Sequence, residues 1–177
     1  MPKVNRLGDY KNLALRDIKN PEKTLEKCKP FLKDWWISAG TAIGLYRDGD
    51  FIPTDTDIDI GVRTDKTKQP ILLPLRLIRT VTFTDHEDNE RYAQTAYYDD
   101  ENDCIFDVFY YHDDINEGEL VSWGESGIIR KPAFGIKELP TKYGMLPFMH
   151  PIEEYLEDRY GDWKTPSNGK YKYNETL

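Results

Sequence analysis

This 177-residue chain has only two cysteines, no long apolar run and no excess of basic residues. Its two cysteines, Cys28 and Cys104, have no Cys-x-x-Cys or Cys/His spacing, which argues against a disulfide framework or a zinc site and predicts two small buried residues. The longest weakly polar run, residues 35–46, has about half the length of a bilayer span. No apolar segment follows the basic N-terminus, so we expect a soluble cytoplasmic protein without a transmembrane segment or secretory signal.

The charge of the chain is acidic and unevenly distributed. A formal net charge of −8 argues against binding to duplex nucleic acid, which depends on Lys and Arg neutralising phosphates. With 38% hydrophobic and 13% aromatic residues, the chain has enough apolar material for one folded domain over residues 1–177. Residues 85–119 contain thirteen acidic residues and one arginine. We interpret most of them as a solvated face, with residues 99–103 as an exposed hairpin loop.

Hydrophobic periodicity and turn residues predict a mixture of helices and strands. Helices are predicted over residues 20–30, 40–47, 67–79 and 151–160. Strands are predicted over residues 35–39, 55–62, 91–98 and 104–112, with a short hairpin formed by residues 120–123 and 128–130. A polar tail follows at residues 167–177.

Three aspartates, Asp55, Asp57 and Asp59, alternate with apolar residues in the strand predicted over 55–62. Alternation places all three carboxylates on one face, about 6.5 Å apart, where each neighbouring pair repels by roughly 2–3 kcal/mol. A hard cation such as Mg²⁺ offsets this repulsion and takes oxygen ligands. The alternative is a strand end open to water, where screening makes the repulsion small.

A fourth aspartate, Asp107, lies in an otherwise apolar and aromatic strand and shares a face with Ile105 and Phe109. A buried carboxylate is costly unless it is paired or coordinates a metal. If this strand lies beside that of Asp57 and Asp59, three carboxylates converge as in centres that hold two metals for in-line displacement at phosphorus. Asp107 is then also a candidate base for the attacking hydroxyl.

Upstream of the aspartates, Gly40 and Thr41 form a strand-to-helix turn whose free N–H groups could hold a phosphate. Most turns of this kind have no ligand-binding role. This turn is a candidate because it lies close in sequence to the aspartates. Arg47 is a candidate phosphate clamp, and a place on a solvated helix face is an equally open interpretation.

Residues 39–60 resemble the signature of the LicD and fukutin-related proteins. In that family a Gly-Gly-Thr or Gly-Gly-Ser turn, a Leu-Gly-x-x-Arg helix and a Phe-Ile-Pro-Trp-Asp segment lead into an Asp-x-Asp strand. Residues 106–108 resemble the strand that carries the family's third carboxylate. Residues 151–163, with Pro166, resemble its closing helix and Tyr-Gly-Asp segment. The resemblance therefore covers most of the chain.

The resemblance implies an α+β, nucleotidyltransferase-like fold, a mixed β-sheet flanked by helices, with a core over about residues 35–166. It implies a metal-dependent phosphotransferase, using Mg²⁺ or Mn²⁺, that moves a phosphocholine or polyol phosphate group from a CDP-linked or other nucleotide donor to a glycan hydroxyl. By position, the catalytic and metal-binding carboxylates would be Asp57, Asp59 and Asp107. The residues near the donor phosphates would be Gly40, Thr41, Arg47 and, in a supporting role, Asp55.

Three positions depart from the family pattern: Ala39 replaces the first Gly, Thr54 replaces Trp, and Asp48 replaces a basic or His residue. Two other functions remain open at this point. The same carboxylates could serve nucleotidyl transfer from a nucleoside triphosphate, because a fold does not fix the chemistry. The chain could also be a non-catalytic module that binds a nucleotide or glycan.

Overall fold

The computed structural model describes residues 4–8, 17–64, 69–84, 90–113, 119–124, 127–132 and 135–166. The predicted polar tail lies outside these residues.

Three α-helices occur in the described part of the chain: α1 (Pro21–Cys28), α2 (Ala39–Ile43) and α3 (Ile152–Tyr160). A 3-10 turn, Lys29–Phe31, extends α1, and a π-helical turn, Gly44–Asp48, continues α2. Helix α1 begins at a proline, whose fixed φ suits the first turn, and ends where the next proline follows in the 3-10 turn. Helix α3 ends before Gly161, which has a positive φ.

The described strands form one mixed sheet of ten strands. In chain order they are β1 (Val4–Leu7), β2 (Trp35–Ile37), β3 (Asp57–Thr64), β4 (Arg76–Thr84), β5 (Glu90–Asp99), β6 (Cys104–Asp113), β7 (Glu119–Gly124), β8 (Gly127–Pro132), β9 (Gly135–Thr141) and β10 (Gly144–His150). The main path runs β1-β4-β5-β6-β3-β2-β10-β9, and the β7–β8 hairpin pairs with the end of β6. Parallel pairing occurs between β3 and β6 and between β10 and β2.

The parallel pair β3–β6 lies in the middle of the sheet and fixes the position of the aspartates. Its register places Asp59 directly beside Asp107. On the opposite face of β3, Ile58 and Ile60 are fully buried in the main hydrophobic core. The aspartates of β3 thus alternate with core residues. A shift of one residue in β3 would turn the isoleucines toward the site, and a shift of one residue in β6 would turn Asp107 away from it.

Most of the predicted elements are confirmed with small shifts at their ends. The strands predicted over 91–98 and 104–112 are β5 and β6, the hairpin predicted from 120 to 130 is β7–β8, and the last helix is α3. The strand predicted to begin at Asp55 begins at Asp57. Cys28 and Cys104 are buried free cysteines, and burial raises the pKa of each thiol to about 12.

The helix predicted over residues 67–79 is wrong for residues 69–79, and residues 67–68 lie outside the described ranges. Residues 70–75 form no regular element, and residues from Arg76 onward belong to strand β4. Pro70 and Pro74 break a helix, while the β-branched residues beyond them favour a strand that pairs with β1 and β5. Strands β1, β9 and β10 were not predicted.

The prediction of an exposed loop at residues 99–103 is wrong for its first residue. Asp99 is 1% exposed and accepts hydrogen bonds from Thr24 Oγ1 at 2.9 Å, Asn102 Nδ2 at 2.8 Å and Lys27 Nζ at 3.1 Å. Burial acts to raise the pKa of Asp99, but these donors hold it below its usual value. Asp99 therefore ties α1 to the β5–β6 turn.

None of the helices in the described ranges is both long and apolar enough to cross a bilayer.

Candidate active site

Three aspartates from two neighbouring strands meet at the centre of the sheet. Asp57 and Asp59 come from the start of β3, and Asp107 comes from β6 beside them. One carboxylate oxygen of each lies within 4.8 Å of the others. The structure thus brings together the three residues that the sequence analysis selected as catalytic and metal-binding carboxylates.

The cluster is largely removed from water. Asp107 is 1% exposed and Asp59 is 8% exposed, whereas Asp57 is only partly buried. Burial raises the pKa of Asp59 well above its usual value, and the charges of Asp57, Asp55 and Asp107 raise it further. The positive charge of Arg159 acts in the opposite direction. The aspartates therefore repel one another in a site where screening by water is weak.

Asp55 is the fourth acid of the cluster. It precedes β3, and its interaction with the carboxyl group of Asp57 favours its protonated form. Burial, followed by the charge of Asp57, raises the pKa of Asp55 to about 7. Its Oδ1 accepts a hydrogen bond from the Thr56 N–H at 3.0 Å.

Gly40 and Thr41 lie against this cluster. A Cβ atom added at Gly40 would lie 2.9 Å from Oδ2 of Asp55, so the missing side chain leaves room for that carboxylate. Thr41 is fully buried, and its Oγ1 accepts a hydrogen bond from the N–H of Asp59 at 2.9 Å. The N–H of Ser38 donates to the carbonyl of Asp59 at 3.0 Å. The start of α2 is thus fixed to the strand that carries the carboxylates.

Ala39 stands where the family pattern has its first glycine, and its backbone explains that preference. Its φ is +49°, in the left-handed region that favours glycine, and the residue is 2% exposed. A side chain in this conformation costs roughly 1–2 kcal/mol. The turn before α2 therefore keeps the backbone of a glycine turn although the chain has alanine there.

Arg47 lies in the π-helical turn and has protein partners in this structure. Its Nε and Nη2 each donate to the carboxylate of Asp48 at 2.7 Å, and its Nη1 donates to the carbonyl of Trp163 at 2.9 Å. These bonds join the turn to the segment that follows α3. Contact with a donor phosphate remains a prediction for this residue.

Two residues of the site were missed by the sequence analysis. Gln94 on β5 donates from Nε2 to Oδ2 of Asp107 at 2.8 Å. Arg159 on α3 is 5% exposed and donates from Nη1 to the hydroxyl of Tyr111 at 2.6 Å. The register of the β5–β6 hairpin could have identified Gln94, since closing residues 99 and 104 places it diagonally opposite Asp107. No local pattern indicates that Arg159 turns toward the carboxylates.

The fold and the site define a class of protein in which a mixed sheet carries clustered carboxylates on neighbouring parallel strands. The model of the LicD/FKTN/FKRP nucleotidyltransferase domain matches residues 33–120, a range that includes β2, β3, β5 and β6. The chain belongs to the LicD/fukutin-related family.

Curated relatives match a longer part of the chain. Ribitol-5-phosphate transferase FKTN of Homo sapiens is 29% identical over 155 residues, which are 81% of this chain and 32% of that protein. The protein of the same name from Mus musculus is 26% identical over 162 residues, covering 84% of this chain and 34% of the relative. The chain thus spans about a third of the length of these relatives.

Proposed function

We propose that this protein is a metal-dependent phosphotransferase with a nucleotidyltransferase-type fold, which moves a phosphorylated polyol or choline group from a CDP-linked donor to a glycan hydroxyl. The observation that carries the proposal is the convergence of Asp57, Asp59 and Asp107, with carboxylate oxygens within 4.8 Å of one another, in a chain of the LicD/fukutin-related family. The name of the FKTN relatives favours ribitol 5-phosphate as the transferred group.

The donor set of the cluster suits a hard divalent cation. All three side chains offer carboxylate oxygens, which Mg²⁺ and Mn²⁺ prefer, and no soft sulfur ligand is among them. Asp57 and Asp59 would hold the cation, and Asp107 would share it. When bound, the cation would neutralise the donor diphosphate and the negative charge that develops on the leaving nucleotide.

The protein's own residues orient the acceptor hydroxyl and accept its proton. Asp107 accepts the proton of the acceptor hydroxyl, and Gln94 holds its Oδ2 at 2.8 Å so that the carboxylate keeps one orientation. The hydroxyl oxygen bonds to the phosphorus of the transferred group. The bond from that phosphorus to the oxygen bridging to CMP breaks, and CMP leaves with the electron pair.

The donor phosphates would lie at the start of α2. Gly40 provides a position without a side chain beside Asp55, and Thr41 fixes the turn to β3 through the N–H of Asp59. Arg47 would reach the donor from the π-helical turn. Asp55, which lies next to the cluster and whose pKa is raised by burial and by the charge of Asp57, would support the carboxylate that holds the cation.

Product analysis tests this proposal. The protein is incubated with Mn²⁺, a glycan acceptor and either CDP-ribitol or CDP-choline, and the products are separated by mass. We expect CMP to be released and the acceptor to gain ribitol phosphate or phosphocholine, with loss of both products in Asp57→Asn. The exposed Asp17→Asn variant, which makes the same change outside the carboxylate cluster, should retain full activity.

Three results would contradict the proposal. Retention of the nucleotide on the acceptor, with a nucleoside triphosphate as donor, would indicate nucleotidyl transfer. Near-full activity of Asp57→Asn would remove the metal site from the mechanism. Binding of a donor without turnover of any donor in the panel would favour a non-catalytic module.

A further inference from the structure

Arg159 is a buried cation on α3, a helix that hydrogen bonds connect to both strands of the carboxylate cluster. Only 5% of it is exposed, although arginine is almost never fully buried unless its charge is paired. It belongs to α3, more than fifty residues after Asp107 in sequence. A charge in this position requires a compensating charge close by.

Hydrogen bonds connect helix α3 to both strands of the site. Its Nη1 donates to the hydroxyl of Tyr111 at 2.6 Å. Tyr111 lies on β6, four residues after Asp107, so both side chains point to the same face of the sheet. At 3% exposed, this tyrosine gives the guanidinium a fixed partner.

A second contact fastens the same helix to Asp59. Tyr155 lies one turn before Arg159 on α3, and its hydroxyl shares a hydrogen bond of 3.1 Å with Oγ of Ser38. The N–H of Ser38 in turn donates to the carbonyl of Asp59 at 3.0 Å. Both Ser38 and Tyr155 are buried. Helix α3 therefore cannot shift without moving the strand that carries Asp59.

Arg159 stabilises Asp59 both through its charge and through its buried position. Arg159 is bonded through Tyr111 to the strand of Asp107, and its helix is bonded through Tyr155 and Ser38 to the strand of Asp59. Its positive charge in this position opposes the repulsion among the aspartates. Because both Arg159 and Asp59 are nearly excluded from water, their attraction is screened less than that of a surface pair.

We propose that Arg159 is a positioning residue that serves as the buried counter-charge of the carboxylate cluster: with Tyr111 and Tyr155 it holds Asp59 in place, so that the cluster stays assembled before a cation binds. This inference deepens the proposed function and rests on it for the identity of the cation. The arginine itself does not touch the substrate.

A double-mutant cycle on thermal unfolding, with a chelator present, tests the proposal. Asp59→Asn removes both the attraction to Arg159 and the repulsion from the other acids, whereas in an Arg159→Met background it removes only the repulsion. The effect of Asp59→Asn on the unfolding midpoint is measured twice, once against the wild type and once against Arg159→Met. We expect the second change to be more positive than the first by at least about 3 °C. Equal shifts in both backgrounds would overturn the proposal.

Two further variants separate charge from packing. Arg159→Lys keeps the charge, and we expect it to recover more than half of the midpoint lost in Arg159→Met. Tyr111→Phe removes only the hydrogen bond and should cost less than Arg159→Met. Arg63→Met, an exposed arginine on β3, is the matched control and should show no coupling to Asp59→Asn.

The variants remain informative if some do not fold. A folded Arg159→Lys beside an unfolded Arg159→Met supports the proposal, because the charge alone rescues the fold. An Arg159→Lys protein that is unfolded, or no more stable than Arg159→Met, overturns it.

A separate arm adds Mn²⁺ together with CDP-ribitol to the wild type. An unchanged midpoint in that arm would refute the metal site of the proposed function, while the coupling measured with chelator would still stand. A midpoint raised in that arm without coupling between Arg159 and Asp59 would refute only the role of the arginine.

Discussion

The raised pKa of Asp55 predicts that the metal-free protein loses stability as the pH rises. The pKa of Asp55 is raised from 3.8 to about 7, so between these values the folded protein holds a proton that the unfolded chain has released. Stability must then fall with increasing pH across this window. Between pH 5 and 7.5, about two pH units lie below the folded-state pKa of Asp55. Over these units the free energy of unfolding falls by about 3 kcal/mol. For a domain of this size that is a decrease of about 6–12 °C in unfolding midpoint.

The assay is thermal unfolding with a chelator at pH 5, 6, 7 and 7.5 for the wild type, Asp55→Asn and the exposed Asp17→Asn. Asn at position 55 can donate to Asp57 without a titratable proton, so we expect Asp55→Asn to be more stable than the wild type at pH 7.5 and to depend less on pH. Asp17→Asn should follow the wild type. A wild-type midpoint that is constant or rises from pH 5 to 7.5 would show that Asp55 does not titrate as described. The same follows if the midpoint of Asp55→Asn depends on pH as steeply as that of the wild type.

Three further substitutions test the surroundings of the cluster. Gly61→Ala would place a Cβ 2.3 Å from the buried ring of Trp36, and we expect it to lower the free energy of unfolding in urea by about 3 kcal/mol or more. Ala39→Gly relieves the strain of a φ of +49° but makes the unfolded chain more flexible. We expect denaturant titration to show a free energy of unfolding higher by about 0.5–1 kcal/mol. A lower free energy of unfolding would mean that the backbone at this position is unstrained. Gln94→Ala leaves Oδ2 of Asp107 without its amide donor, and we expect a lower kcat with little change in KM; unaltered kcat would exclude a part for this hydrogen bond in catalysis.

The central pair of strands could be predicted because two independent patterns agree there. In β3, Ile58 and Ile60 alternate with aspartates, and a period of two is hard to reconcile with anything but a half-buried strand. Asp107 stands out because it is a charged residue in an apolar strand, and such a residue requires a partner. The sequence could not show that β3 and β6 are neighbours, since parallel pairing carries no local signal.

Elements that depend on distant contacts were missed. Residues 76–79 satisfy a helical spacing as well as a strand, and the choice is made by pairing with β1 and β5. Asp99 looks like one more acid in an acidic turn, and only the approach of Thr24 and Lys27 from α1 makes it a buried anchor. Arg159 reaches the carboxylates only through the packing of α3 on the sheet.

Asp57, Asp59 and Asp107 are proposed to bind a divalent cation together with a CDP-linked donor. The most direct measurement is the unfolding midpoint at pH 7.5 with Mn²⁺ and CDP-ribitol, each alone and combined, in the wild type and in Asp57→Asn. With the pair at a hundred times its dissociation constant, stabilisation of about 3 kcal/mol should raise the wild-type midpoint by roughly 5–10 °C. Asp57→Asn should show little of this rise. An unchanged wild-type midpoint, or the same rise in both proteins, would contradict the claim.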